Sequence, residues 1–346
     1  MTDLGIRLRQ QPDRGDLVDD LADQLDGRVG LGAVLGDLNR RATQVRSIAK
    51  AASYAFAWNA GDNKNREWWP QGITTSADAD GVDEFERRPV LMVAWYAKTT
   101  KGHTRGARLS VVDLADPATP AYRHVLLVAP QRNLDTGAVT MGPVPVHAGG
   151  IVWYGRSLLI ADTHGGVRVF DVDDVLQVSG HGHDRYRFVL PQRTAYEAVN
   201  EKGFEPFKFS FVSLDRTAEH HQLIAGEYGK GGVPTRLVRF GLDPRSRQIA
   251  VEDGFAAPLE LVSDALEHMQ GATVVYGTYY VSTSRGALRR GSLWVRRPGE
   301  AFEEFRGALA VGPEDLTYWP QRDQLWSCSE YPGRRYVYAM PRPQFG

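Results

Sequence analysis

Two residues in this chain have the chemistry to move a proton. Glu314, in "GPEDLTYW", stands just ahead of an apolar run. A carboxylate carried to a partly dehydrated position needs a cation, a metal or a proton of its own. His147, in "PVHAGG", is followed by small residues that leave room for a ligand against the backbone. Its imidazole titrates near neutral pH, so Glu314 and His147 are the candidate catalytic pair. A wider set of polar and aromatic residues falls at matching places in the chain: Gln71, Gln270, Lys208 and Ser210 before apolar runs, and Trp95, Tyr96, His164, Glu227, Tyr228, Arg285, Glu330 and Tyr331 after them. These are candidate substrate-binding residues, with the aromatics as apolar walls.

Such residues can meet only if a repeated element positions them, and the sequence repeats. A polar pair, an apolar strand, a turn, a second strand, a Gly-containing turn and a third strand recur. The copies are "WPQGITTSADADG" with "RRPVLMVAWYAK" and "GARLSVVDL", "HAGGIVWYGRSLLIADTHGGVRVFDV", "KFSFVSLDRTAEHHQLIAGEYGKGGVPTRLVRFGLD", "MQGATVVYGTYYVSTSRGALRRGSLWVRR", and the stretch from Gly312 to Met340. Gln270 and Glu314 stand about 44 residues apart, the length of a four-stranded propeller blade. Apolar residues alternate with period two, and β-branched and aromatic residues dominate the strands. An outer fourth strand is expected at "AYRHVLLVAP", "DRYRFVLPQ", "RQIAVEDG" and "AFEEFRGAL". The last copy lacks one, and "AASYAFAWN" at 51–59 is the expected donor of the closing strand, which removes two exposed sheet edges at once.

The expected fold is therefore all-β: a five-bladed β-propeller over 49–346, closed by an N-terminal strand, with a short helical N-terminal extension over 1–48. In the extension Leu17, Leu21, Leu25, Leu35 and Leu38 recur at roughly helical spacing, and Gly27, Gly30 and Gly32 divide it into two short helices. These are read as a cap on the propeller, or else as a partner-binding arm, and residues 1–12 as dispensable. The loops leading into the first strands share a face with those joining second and third strands, so Gln71, His147, Gln270, Glu314 and Glu330 are expected around one cavity at the channel mouth.

Bulk properties narrow the function. The 346 residues carry 41 basic and 42 acidic side chains, a net charge of −1. That excludes the basic surplus a nucleic-acid binder needs. No apolar run approaches a membrane span, and the N-terminus lacks the apolar core of a secretory signal, so no membrane partner is expected and the chain reads as cytoplasmic. Cys328 is the sole cysteine; it reads as a small buried core residue, and no disulfide or thiolate zinc site follows. His181, His183 and Asp184 alternate in "HGHDRYR" but fall in an expected solvated turn, as do His220 and His221 on the far face. No nucleophile elbow, phosphate-cradling glycine loop or H-E-x-x-H is present.

The blocks "WWPQGITTSADA", "HAGGIVWYG", "FSFVSLD", "QGAT" and "GPEDLTYWP" resemble a group of actinobacterial five-bladed β-propeller proteins, many of them secreted. The resemblance spans roughly residues 50–346 and implies fold rather than chemistry. More distantly, "PEDL" and "ADT" resemble motifs of the gluconolactonase and strictosidine-synthase-like propellers, which have six blades. The first of these implies that a Glu at the position of Glu314 helps hold a divalent metal. The Asn and Asp expected beside it have no counterparts here, since Gln71, His147 and Gln270 stand instead. No cofactor is expected, although a weakly held calcium or magnesium ion near Glu314 fits the preference of hard cations for oxygen ligands.

The expectation is a small-molecule-processing enzyme (a hydrolase, lyase or cyclase, in specialised metabolism) with its site at the channel mouth. The alternative is a propeller that binds a small molecule, glycan or protein without chemistry. The oligomeric state stays open.

Overall fold

The structure, a computed structural model, describes residues 5–25, 27–46, 48–99, 103–178, 185–231, 235–263 and 265–346. His181, His183 and Asp184 lie outside the described residues. Five antiparallel meanders make up the chain from Tyr54 onward. Their first strands are Trp68–Thr75, Ile151–Tyr154, Phe211–Asp215, Met269–Val275 and Pro313–Trp319. Each first strand neighbours the next, and the last returns to the first, so the inner strands form a closed ring. This is a β-propeller.

Hydrophobic alternation drives the assembly. In the strand Val90–Ala97, Leu91, Val93 and Trp95 feed one hydrophobic cluster, while Val90, Met92 and Ala94 feed the next. Both faces of the strand are buried, because each meander is sandwiched between its neighbours. Five such clusters fill the spaces between adjacent meanders. Burial of apolar side chains at these interfaces, at about 25 cal/mol per Å² removed from water, is the main favourable term.

The closing strand is Tyr54–Ala57. It pairs antiparallel with Tyr336–Pro341, placing Phe56 opposite Val337, and so supplies the fourth strand that the last meander lacks. The ring also requires glycine where inner strands crowd. A Cβ on Gly72 would stand 2.7 Å from the carbonyl carbon of Gly150, and one on Gly271 2.5 Å from Cα of Asp315. No side chain fits there. The backbone itself narrows the channel, and the mouth becomes a cup with a floor.

Two sequence expectations need correction. In the third meander only Gln248 and Ile249 of "RQIAVEDG" pair with Leu237–Asp243; the main outer strand is Pro258–Val262. The N-terminal segment does contain two short helices, Gly15–Gln24 and Gly30–Leu35. It also contains a strand, Ile6–Gln10, which the helical reading omits. That strand pairs with Phe188–Asn200 on the outer edge of the second meander and touches Phe255–Ala256 of the third. Ile6 and Leu8 are buried, so residues 5–12 are not a loose tail. The signal was there in "GIRLRQ", whose period of two marks a strand with one buried face.

Candidate functional site

At the channel mouth lies a cavity of about 670 Å³. The first strands supply Gln71, Gln270 and Glu314 to its wall, and the loops leading into two others supply His147, Lys208 and Ser210. Loops after the second strands supply His164, Tyr228 and Glu330. Nine candidates from all five meanders thus face one space.

Glu314 sits at the start of the strand Pro313–Trp319, is 2% exposed, and faces the cavity. Its Oε1 accepts a long hydrogen bond, 3.4 Å, from Gln270 Nε2. Its backbone carbonyl accepts from Ser282 Oγ at 2.7 Å, which fixes the strand start. Among the described residues no cation pairs with Glu314. Burial, and then the negative charges of Glu330 and Asp315, hold its carboxyl well above the usual range. Glu330 is also shifted upward by burial, but the Tyr331 hydroxyl, Lys98, Gln71 and Arg335 oppose the shift. Gln71 Nε2 donates to Glu330 Oε2 at 3.3 Å. Burial therefore favours the protonated form of Glu314, and the groups around Glu330 leave it better able to ionise.

Asp315, next in the chain, plays a different part. Its Oδ2 accepts from the backbone N–H groups of Ile73 (3.1 Å) and Ile151 (3.4 Å), tying the first strands of two other meanders to the fifth. It is fully buried, and burial raises its carboxyl well above the usual range. This is a brace beneath the cup.

His147 packs against Tyr96, ring centroids 4.3 Å apart. The protein crowded around it lowers the imidazole's affinity for a proton, although its ring stays open to the cavity. Ala148, just after it, has φ of 55°, an uncommon value for a residue with a side chain, and its carbonyl accepts from Gly72 N–H at 3.1 Å. That contact fixes the backbone beside the imidazole.

Five candidates stand elsewhere. Trp95 is fully buried, packed edge-on against Trp58, because alternation along Val90–Ala97 sends Trp95 and Tyr96 to opposite faces. Only Tyr96 turns towards His147, behind the cavity wall. Glu227 is buried, with Arg236 Nε and Nη2 donating to its two oxygens at 2.7 and 2.8 Å, so it is a neutralised structural acid. It also accepts from Lys208 N–H, holding the lead-in loop. Arg285 is half-buried away from the wall, and Tyr331 packs edge-on to Trp69 beside Glu330. Cys328 is buried, its Sγ 3.0 Å from the Gln71 carbonyl. On the far face, His221 Nδ1 lies 2.9 Å from the Tyr154 hydroxyl.

Sequence reasoning missed Arg335. Its side chain is fully buried behind Glu330, with Nε donating to the Glu330 carbonyl and Nη1 to the Asp62 carbonyl, each at 2.7 Å. Its guanidinium faces the rings of Trp69 and Trp95. A charged residue between a Gly turn and a strand gives no sign of such burial. Among the described residues no group of three or more His, Cys, Asp or Glu side chains is arranged to hold a metal ion. No helix among them is long and apolar enough to cross a membrane.

No family model matches the chain, and no curated protein sequence matches it. Solved structures similar to it include the GH43_1 enzyme of Xanthomonas citri (11% identity, TM-score 0.40, 79% of this chain and 87% of that one). Others are the RS223 β-xylosidase (10%, 0.37, 79% and 92%) and the Drosophila plexin A–semaphorin 1b complex (8%, 0.33, 87% and 88%). A β-xylosidase and a plexin–semaphorin complex thus stand side by side among these distant likenesses, and none transfers an activity to this chain.

Proposed function

We propose that the protein is an enzyme acting on a small polar organic molecule, a hydrolase or lyase, by proton transfer between that molecule and the Glu314–Glu330 pair. The observation that carries the reading is the contrast between Glu314 and Glu227. Both are buried acids near the mouth, but Glu227 is clamped by Arg236, whereas the Glu314 carboxyl, among the described residues, meets only an amide at 3.4 Å and opens to the cavity. A buried acid with neither a cation nor the backbone N–H donors that hold Asp315 is costly to keep for structure alone. With burial favouring its protonated form, Glu314 is suited to act as general acid, with Glu330 as the accepting carboxylate. Two carboxyl groups pushed apart in proton affinity are the usual division of acid and base.

The neutral imidazole of His147 and the amides of Gln71 and Gln270 would orient hydroxyl or carbonyl groups of the substrate. Lys208 would attract a negatively charged substituent. The scheme uses the chain's own groups, with no metal step.

The test is a panel of small glycosides, lactones and esters offered to the wild type and to Glu314→Gln. A general acid contributes about 10²–10⁴-fold in rate, so Glu314→Gln should lose at least a hundredfold in kcat while its thermal melt stays at or above that of the wild type. Ligands that bind both proteins equally, with no turnover by either, would support a binding propeller instead.

A further inference from the structure

A second cavity, of about 540 Å³, opens between the first meander and the segment that joins the closing strand to it. Six guanidinium groups line it, from Arg40, Arg105, Arg108, Arg123, Arg185 and Arg187, against two carboxylates, Asp62 and Glu67. His124 adds no charge, because burial and the Arg108 guanidinium hold its imidazole down to about 3.

The inner carboxylate cannot neutralise this excess. Asp62 is buried; its oxygens already accept from Arg108 Nη2 (3.2 Å) and the Tyr122 hydroxyl (2.7 Å), with His124 Nε2 at 3.0 Å and Arg40 Nε at 3.3 Å beside them. Asp37 at the edge engages Arg123 and Arg187, at 2.5 and 3.0 Å, and still leaves an excess of positive charge. Arg108 is 5% exposed, and among the described residues its Nε has no hydrogen-bond partner. The remaining rim is donor-rich. Asn59 spends its amide oxygen on Asp62 N–H, and Asn65 spends its own on the N–H groups of Glu67 and Trp68, leaving their NH₂ ends.

Guanidinium groups gathered around a concave space fit oxyanions, which accept paired N–H bonds from each fork. Six guanidinium groups against Asp62, Glu67 and Asp37 leave three positive charges, enough to hold a doubly charged anion. A free phosphate ion would leave most of the space unfilled. We propose that this cavity binds the phosphoryl group of a small phosphomonoester, separately from the channel mouth. An overall net charge of −1 makes the basin a local feature and not part of a nucleic-acid surface.

Calorimetric titration at fixed ionic strength tests this, using inorganic phosphate, glucose 6-phosphate and glucose against a sodium chloride blank. Saturable binding of inorganic phosphate and, more tightly, of glucose 6-phosphate is expected, with none for glucose; tighter binding of inorganic phosphate would overturn the assignment to an ester. The double variant Arg185→Gln/Arg187→Gln changes two exposed side chains and should fold. Losing two charge-assisted hydrogen bonds should weaken phosphate binding by about tenfold or more. Arg123→Gln should weaken it as well. Lys208→Gln, at the channel mouth, should bind phosphate like the wild type. Phosphate heats no different from chloride, unchanged binding by the double variant, or loss of binding in Lys208→Gln alone would overturn the proposal.

Discussion

Gln270 donates to Glu314 across 3.4 Å, a long contact between an amide and an acid that neither neutralises the acid nor shields it from the cavity. Other buried acids are answered in one of two ways: Asp174 by Arg28 and Arg193 and Glu227 by Arg236, or, for Asp78 and Asp315, by threonine hydroxyls and backbone N–H groups. The difference separates an acid kept for the scaffold from one left available.

That availability has a signature in stability. The folded carboxyl of Glu314 lies well above its ordinary value of 4.5, so the native state keeps a proton that the unfolded chain releases. Stability from this group is fully present below about pH 4.5 and is lost as pH rises towards the folded value. Glu314→Gln, which cannot ionise, should melt higher than wild type at pH 8, and the gap should close by pH 4. Melting curves across that range check it; a variant less stable at pH 8 would show that the carboxylate is braced in a way the geometry does not reveal.

Glu227 should behave in the opposite way. Glu227→Ala leaves the Arg236 guanidinium, largely buried, without its partner and releases the loop at Lys208 N–H. Removing one member of a buried pair costs about 3–5 kcal/mol. Chemical denaturation should show a loss of that order, with Glu227→Gln losing less because an amide still accepts from the loop.

The imidazole of His147 should titrate below its ordinary 6.5, since the protein around it disfavours the charged form. Its contribution to stability is present above pH 6.5 and is lost as pH falls through the lower, folded value. An NMR titration following the ring protons reads the midpoint directly. A midpoint at or above 6.5 would point to a carboxylate closer to the ring than the structure places one.

Truncation separates the two parts of the N-terminus. Removing residues 1–12 takes away the strand Ile6–Gln10, and burying each of Ile6 and Leu8 is worth roughly 1.5–3 kcal/mol. The shortened chain should fold with a lower melting temperature and a free edge at Phe188–Asn200. Removing residues 1–60 takes away the closing strand Tyr54–Ala57 and should abolish soluble expression; a cooperative melt from that chain would refute closure by this strand.

The sequence alone determined the propeller, because its information is local and repeated. Period-two alternation, turn residues and a missing outer strand in the last repeat specify the meanders and require a donor, and "SYAFAW" has the pattern to be one. It also placed Gln71, His147, Lys208, Gln270, Glu314 and Glu330 at one mouth, since equivalent loops of a propeller share a face. What it could not show is which acids are answered. Glu227 and Glu314 look alike in a string of letters, and only the fold brings Arg236 to one and an amide to the other. The same holds for Trp95, whose neighbour Tyr96 takes the site-facing side, and for Arg335, buried between two carbonyls that lie far apart in the chain. The arginine-lined cavity had no sequence signature either: its residues run from Arg40 to Arg187 without a motif, and their charges converge only when the closing segment is laid against the first meander. Pattern follows from the chain's own periodicity, whereas charge balance depends on partners distant in sequence, and those only the tertiary structure supplies.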